Sequence, residues 1–283
     1  MKGFNLITLV CGLLVITAFA QDKQPESKAL ELPRIQVVPI TDTVNDRQYD
    51  LFIKLPEGYS DTTRHPVIYY TDAVWHVEML SGAAEYIMED VILVGISWQT
   101  DLDEALMQEV GPQVSRYRDY SMKESSNQEH QAKYQFGQAD KHLAFIRNDV
   151  IPYMENNYRT NPENRTYFGY SMGGEFGIYI LLSQPDTFNN YILGSPSLRG
   201  DDIPDLAALN AKATNNLNAN VFISYGSQEE RLGALAEQLI SLLRSRTDQS
   251  LNLNPVVIEG SHQTAFPLTA VRSVTWLSDL AKD

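Results

Sequence analysis

The residues Gly169-Tyr170-Ser171-Met172-Gly173-Gly174 form a G-x-S-x-G-G run. An apolar stretch, Thr166-Tyr167-Phe168, precedes it, and a helix-like run from Glu175 to Leu182 follows. In a strand, sharp turn and helix of this kind the central Ser sits at a strained tip with its hydroxyl exposed. Flanking glycines let the turn close, because side chains there would collide. Ser171 is therefore the candidate nucleophile. The competing reading is a Gly-rich turn that happens to hold a serine.

A serine hydroxyl needs a base to take its proton. Of the five histidines, His65, His76, His130, His142 and His262, only the last follows Ser171. The order implied by such a turn is Ser, then acid, then His. His262 also lies just after the last apolar run, in Glu259-Gly260-Ser261-His262, where a catalytic base belongs. The acid should follow the preceding strand and hold the imidazole in one tautomer. Gly226-Ser227-Gln228-Glu229-Glu230 offers Glu229 as first choice and Glu230 as second. Glu at a helix start also suits the dipole without any catalytic duty. Asp201, Asp202 and Asp205 form an outlying third option. The oxyanion donors would be the backbone amide of Met172 and one after the strand ending at Thr71-Asp72, at Ala73 or a near neighbour.

These residues need a scaffold. Ile35–Pro39 and Tyr49–Leu55 alternate like exposed antiparallel strands, whereas Val67–Thr71 and Val91–Ile96 are continuous apolar runs suited to central parallel strands. A helix is expected from Val74 to Met88. Another carries Leu143, Ile146, Val150 and Met154 on one face, with Pro152 implying a kink or short break. Strands recur at Tyr191–Leu193, Val221–Tyr225 and Val256–Ile258. A helix from about Glu230 to Arg246 separates the last two, and a final helix follows Phe266. Alternating strands and helices predict an α/β fold, a mostly parallel sheet with helices on both faces. Residues 99–138 are polar and irregular and read as a lid-like insertion.

The whole chain adds bounds. Its 283 residues, 43% hydrophobic, suffice for one large domain. Met1-Lys2, the apolar stretch to Ala20 and the small-residue end Ala18-Phe19-Ala20 read as a secretory signal peptide, cleaved after Ala20. Residues 21–34 read as a flexible lead-in and 35–283 as the domain, placing the mature protein in the periplasm or outside the cell. The apolar run is short for a membrane span, and no later segment is expected to cross one. Cys11, the only cysteine, lies in the signal, so the mature chain has no thiol for disulfides, nucleophilic attack or metal binding. A net charge of −14 disfavours nucleic acid and anionic membranes as partners. No cofactor and no metal are expected, since His and Glu never cluster at ligand spacing and no phosphate-binding Gly loop occurs.

Further residues carry a resemblance. Asp140–Ile146 leading into Ile151-Pro152-Tyr153, then Tyr158-Arg159-Thr160, the Ser171 run, Phe188 to Ser197 with Ser195-Pro196-Ser197, and Arg118-Asp119-Tyr120 are similar to the esterase family of α/β-hydrolases. That family includes esterase D, siderophore (trilactone) esterases and feruloyl-type esterases. The resemblance spans about residues 35–280. It implies an α/β-hydrolase fold, ester hydrolysis and Ser171, Glu229 and His262 as triad. Some siderophore esterases work with Ser and His alone, which would make Glu229 dispensable. Family members usually carry His before the nucleophile, where this chain has Tyr170. For substrate contact the candidates are Arg116 and Arg118 in the insertion, with Tyr170 and Trp75. The arginines could hold an anion or catecholate oxygen, although Arg118 equally suits an ion pair with Asp119. The expected partner is a small ester; an acyltransferase on the same residues and a binding protein that merely keeps the fold are the alternatives.

Overall fold

The structure is a computed structural model that describes residues 32, 34–213, 217–246 and 251–282. The expected signal peptide, and the lead-in apart from Leu32 and Arg34, lie outside the described residues.

Apolar runs and alternation put the strands where buried edges demand them. β1 (Ile35–Asp42) and β2 (Arg47–Lys54) form an antiparallel hairpin, and β2 pairs antiparallel with β4 (Ile92–Ile96). β3 (His65–Tyr70), β5 (Thr160–Tyr170), β6 (Asn190–Gly194), β7 (Ala219–Gly226) and β8 (Leu251–Ile258) are parallel to β4 and to one another. Among the described residues the sheet has eight strands in the order β1-β2-β4-β3-β5-β6-β7-β8.

Both faces are covered, which explains the unbroken apolar runs. In β3, Val67 and Tyr69 point to one side and Ile68 and Tyr70 to the other. The first side packs on α5 (Ala139–Phe145), α6 (Ile151–Asn157), α7 (Met172–Ser183), α8 (Ile203–Lys212) and α9 (Glu230–Arg244) through Leu143, Met154, Phe176, Leu206 and Leu239. The second packs on α1 (Ala73–Ile87) and α10 (Ala265–Leu280) through Val77, Leu80, Val274 and Leu277. This is the expected α/β-hydrolase arrangement. No helix among the described residues is long and apolar enough to cross a membrane.

The break expected near Pro152 is a wider turn, Ile146–Val150, joining α5 to α6. It sits directly before the proline, whose ring cannot accept normal helical packing behind it. The insertion between β4 and α5 folds into short helices at Glu104–Val110 (α2), Ser115–Asp119 (α3) and Gln128–Tyr134 (α4). β8 starts earlier than its apolar residues suggest and tolerates Pro255 because it is the sheet's outer strand.

Register places the chemistry. Tyr70 pairs with Phe168, Tyr170 with Gly194, Gly194 with Ser224 and Gly226 with Ile258. The parallel strands therefore end along one edge, and the loops beyond them lie together there.

Candidate active site

Ser171 joins β5 to α7 with φ 59° and ψ −120°. A side chain at this backbone geometry is strained and persists only where the surroundings dictate it. They do so through three backbone bonds. Ser171 N–H donates to Gly194 O at 2.9 Å, and its carbonyl accepts from Glu175 N and Ser197 N, both at 3.1 Å. The flanking glycines have a measurable reason. A Cβ on Gly169 would stand 2.2 Å from the Gly173 oxygen, and one on Gly173 would stand 2.4 Å from Thr71 Oγ1.

His262 lies between β8 and α10, where Gly260 takes φ 124° to turn the chain. Tyr170 O–H donates to the His262 carbonyl at 2.6 Å, so the residue before Ser171 holds the histidine's backbone. Tyr170 is itself largely buried, and desolvation pushes its phenol up to about 12, keeping the O–H donor intact. Glu229 ends the β7–α9 loop with its carboxylate buried. One oxygen accepts from His262 Nδ1 at 2.5 Å. The other accepts from Gly226 N at 2.5 Å and Ser195 Oγ at 2.7 Å. With Nδ1–H committed to Glu229, Nε2 is an acceptor, and it lies 3.0 Å from Ser171 Oγ.

The expected residues are thus distributed plainly. Ser171, His262 and Glu229 form one continuous hydrogen-bonded chain. Glu230 is exposed at the start of α9. Asp202 is buried against Arg199, and Lys123 pairs with Asp201, Asp202 and Asp205. Met172 and Ala73 are the first residues of α7 and α1, whose first-turn amides have no acceptor within their helices. Those two helix starts abut at the Gly173–Thr71 contact.

Beside Ser171 opens a cavity of about 310 Å³. Trp75, Arg116, Tyr170, His262 and Phe266 are among its lining residues. Arg116 faces it with its guanidinium 4.9 Å from the Trp75 ring and bonded to Asp72 through Nε at 2.6 Å and Nη2 at 3.0 Å. Arg118, the other arginine expected to contact substrate, does not reach it. Its guanidinium is buried against Asp119 at 2.7 and 3.1 Å and Tyr49 at 3.2 Å, the ion-pair alternative.

Sequence order overlooked three neighbours. His76 precedes Ser171 and so is excluded as the base, yet it lines the cavity. It stacks on Phe266 at 4.6 Å and donates Nδ1–H to Thr71 O at 3.0 Å. Burial lowers its pKa, against the opposing pull of Asp72. Ser197 Oγ lies 2.8 Å from Ser171 Oγ. Ser195 braces Glu229. The Ser-Pro-Ser sequence was the available signal for both, though not for what they touch. Among the described residues, no cluster of His, Cys, Asp and Glu could hold a metal ion.

The chain is similar to known proteins along most of its length. Across 88% of the chain it is 25% identical to the ferri-bacillibactin esterase BesA of Bacillus subtilis (strain 168), covering 91% of that protein over 272 residues. The BES protein of Bacillus cereus superposes with a TM-score of 0.75 at 21% identity, over 90% of this chain and 99% of that one. An IroE-like serine hydrolase of Shewanella oneidensis gives 0.71 at 19%, over 87% and 80%. At such identities the two structures speak to the fold. The family model described as "Putative esterase" matches residues 43–267, most of the length, and the chain belongs to that esterase family.

Proposed function

We propose that the protein is a serine esterase that cleaves a carboxylic ester through an acyl-enzyme on Ser171. The observation that carries this reading is the unbroken chain from Glu229 through His262 to Ser171, opening on a cavity. In the first step Ser171 Oγ attacks the ester carbonyl while its proton passes to His262 Nε2. Glu229 stabilises the resulting imidazolium. The carbonyl oxygen becomes an oxyanion held by the amides of Met172 and Ala73. As the intermediate collapses, His262 returns the proton to the leaving alkoxide, and the alcohol departs. Water, deprotonated by the same imidazole, then releases the acid and restores Ser171.

The cavity's chemistry supports a bulky or aromatic ester. Trp75, Tyr170 and Phe266 offer ring faces, and Arg116 offers a cation beside them. BesA is named as an esterase of ferri-bacillibactin, which favours siderophore esters as substrates here, with aryl and short-chain esters as simpler ones. The leader-like sequence at 1–20 supports action in the periplasm or outside the cell.

Incubation with a fluorophosphonate, followed by peptide mapping, tests the nucleophile, and p-nitrophenyl acetate tests turnover. Labelling at Ser171 with release of p-nitrophenol is expected. A folded protein that neither labels nor turns over would defeat the proposal. A panel of trilactone siderophores, feruloyl esters and short acyl esters then ranks the substrates.

A further inference from the structure

We infer that Arg116 is a positioning residue for the oxyanion site: it clamps Asp72 and thereby aims the backbone amide of Ala73. The inference rests on the esterase reading and gives Arg116 work beyond facing the substrate.

The argument starts from Asp72. Its side chain is fully buried, and its backbone sits at φ 58°, ψ 43°, a left-handed conformation uncommon outside glycine that aspartate adopts more readily than most residues. The holding groups are all side chains from elsewhere. Oδ1 accepts from Arg116 Nε at 2.6 Å, Trp98 Nε1 at 2.7 Å and Tyr120 O–H at 3.4 Å, and Oδ2 accepts from Arg116 Nη2 at 3.0 Å. The guanidinium is in turn fixed between Trp75, at 4.9 Å, and Tyr120, at 5.7 Å. A planar fork gripping both oxygens fixes the carboxylate's orientation as well as its charge.

The peptide joining Asp72 to Ala73 transmits this hold. Asp72 O accepts from Trp75 N at 2.9 Å and His76 N at 3.2 Å, so the carbonyl points into α1. In a trans peptide the N–H points opposite to the carbonyl, so the Ala73 N–H points away from the helix, at the edge where Ser171 sits. The ψ angle of Asp72 sets that direction. Upstream, Thr71 O is held by His76 Nδ1 at 3.0 Å, and Thr71 meets the start of α7 at Gly173. The loop is thus restrained on both sides, and the downstream restraint comes from the insertion through α3. Losing one oxyanion donor typically costs about 10² to 10³ in rate, which sets the ceiling for a mis-aimed amide.

The test uses neutral substrates, p-nitrophenyl acetate and p-nitrophenyl butyrate, which have no anion for Arg116 to bind. Arg116→Ala is expected to lower kcat about 10- to 100-fold with KM changed less than about threefold. Affinity for phenylboronic acid, which becomes a tetrahedral anion on the serine, should fall in parallel. Arg116→Lys should restore only part of the rate, because a point charge cannot grip both oxygens. Asp72→Asn, nearly isosteric, should match Arg116→Ala, and the double variant should be no worse than either single one. Far-UV circular dichroism checks folding, and if Arg116→Ala unfolds, Arg116→Lys and Asp72→Asn carry the same comparison. Unchanged kcat in folded variants, or a rise confined to KM, overturns the clamp. Wild-type protein that neither labels nor turns over would sink the esterase reading instead, so the two failures are distinct.

Discussion

The two walls of the cavity are built by different means. On one side, Ser171, Ser197, Glu229 and His262 stand on the ends of β5, β6, β7 and β8, and strand register already puts those ends together. Much of what fixes them is backbone hydrogen bonding, as at Ser171 with Gly194 and Ser197. On the other side, Asp72 is held by side chains that lie 26 to 48 residues away, at Trp98, Arg116 and Tyr120. The first wall depends on the sheet; the second depends on an insertion gripping one buried carboxylate. A buried charge is costly when a partner is lost, so the second wall should be the more easily damaged by a single surface-loop change.

The largest expected effect breaks the first wall outright. Ser171→Ala should reduce kcat/KM for p-nitrophenyl acetate by about 10⁴-fold or more and abolish fluorophosphonate labelling, with the circular dichroism unchanged. A residual rate near wild type would show that another group attacks. Next comes Glu229→Gln. It keeps the volume but removes the charge that stabilises imidazolium, and about 10²- to 10⁴-fold loss in kcat is expected. A loss below about tenfold would mean that Ser171 and His262 suffice, and that Ser195 and Gly226 hold the Glu229 carboxyl for structure alone.

A third prediction sharpens the comparison through two buried carboxyl groups, one on each wall. Asp72 is surrounded by donors. Glu175, one turn beyond Ser171, is buried with no hydrogen-bond donor at its carboxyl among the described residues. Desolvation, aided by Asp202 and Asp201 and opposed by Arg199 and Lys123, pushes its pKa up to about 8. The folded pKa lies above the unfolded one, so this group's stabilising contribution is complete below the unfolded value near 4.5 and is lost as pH rises through about 8. Glu175→Gln should therefore become more stable relative to wild type between pH 5 and pH 9, by a few kcal/mol at most. Urea melts across that range measure the difference. A constant difference between the proteins would place the charge of Glu175 on a partner after all.

The same contrast explains what could be read from residues alone. The fold was legible because both-sided burial leaves continuous apolar runs, as in Val67–Tyr70 and Val221–Tyr225. Ser171, His262 and Glu229 were legible as neighbours because each follows a strand that must end at the same edge. Helix α8 was not, since only Leu206 and Asn210 of its residues are buried and its apolar pattern is thin. The polar first half of β5 was not, because side chains there bond across strands, as Asn164 does with Asn190, rather than form an apolar signal. The place of Arg116 was readable, but its bonds to Asp72 were not: they join residues 44 apart across an irregular segment with no repeating pattern. Arg118 shows the same limit, because two arginines in one short helix face opposite surroundings and only packing decides which one sees the cavity.

The smallest effect concerns Ser197 and asks whether the strand-end wall is truly carried by its backbone. Ser171 donates its proton to His262 Nε2, so its oxygen is left to accept the Ser197 hydroxyl at 2.8 Å. That bond orients Oγ before attack but also draws on the lone pairs that must attack, and the two effects oppose each other. The Ser197 N–H bond to Ser171 O survives any side-chain change. Ser197→Ala should then lower kcat/KM for p-nitrophenyl acetate by about three- to tenfold, near the worth of one neutral hydrogen bond, with fluorophosphonate labelling slowed in proportion. A rate equal to or above wild type would mean that the hydroxyl only restrains the nucleophile. A loss beyond about 100-fold would mean that this wall, too, hangs on a side chain, and the distinction between the two sides of the cavity would dissolve.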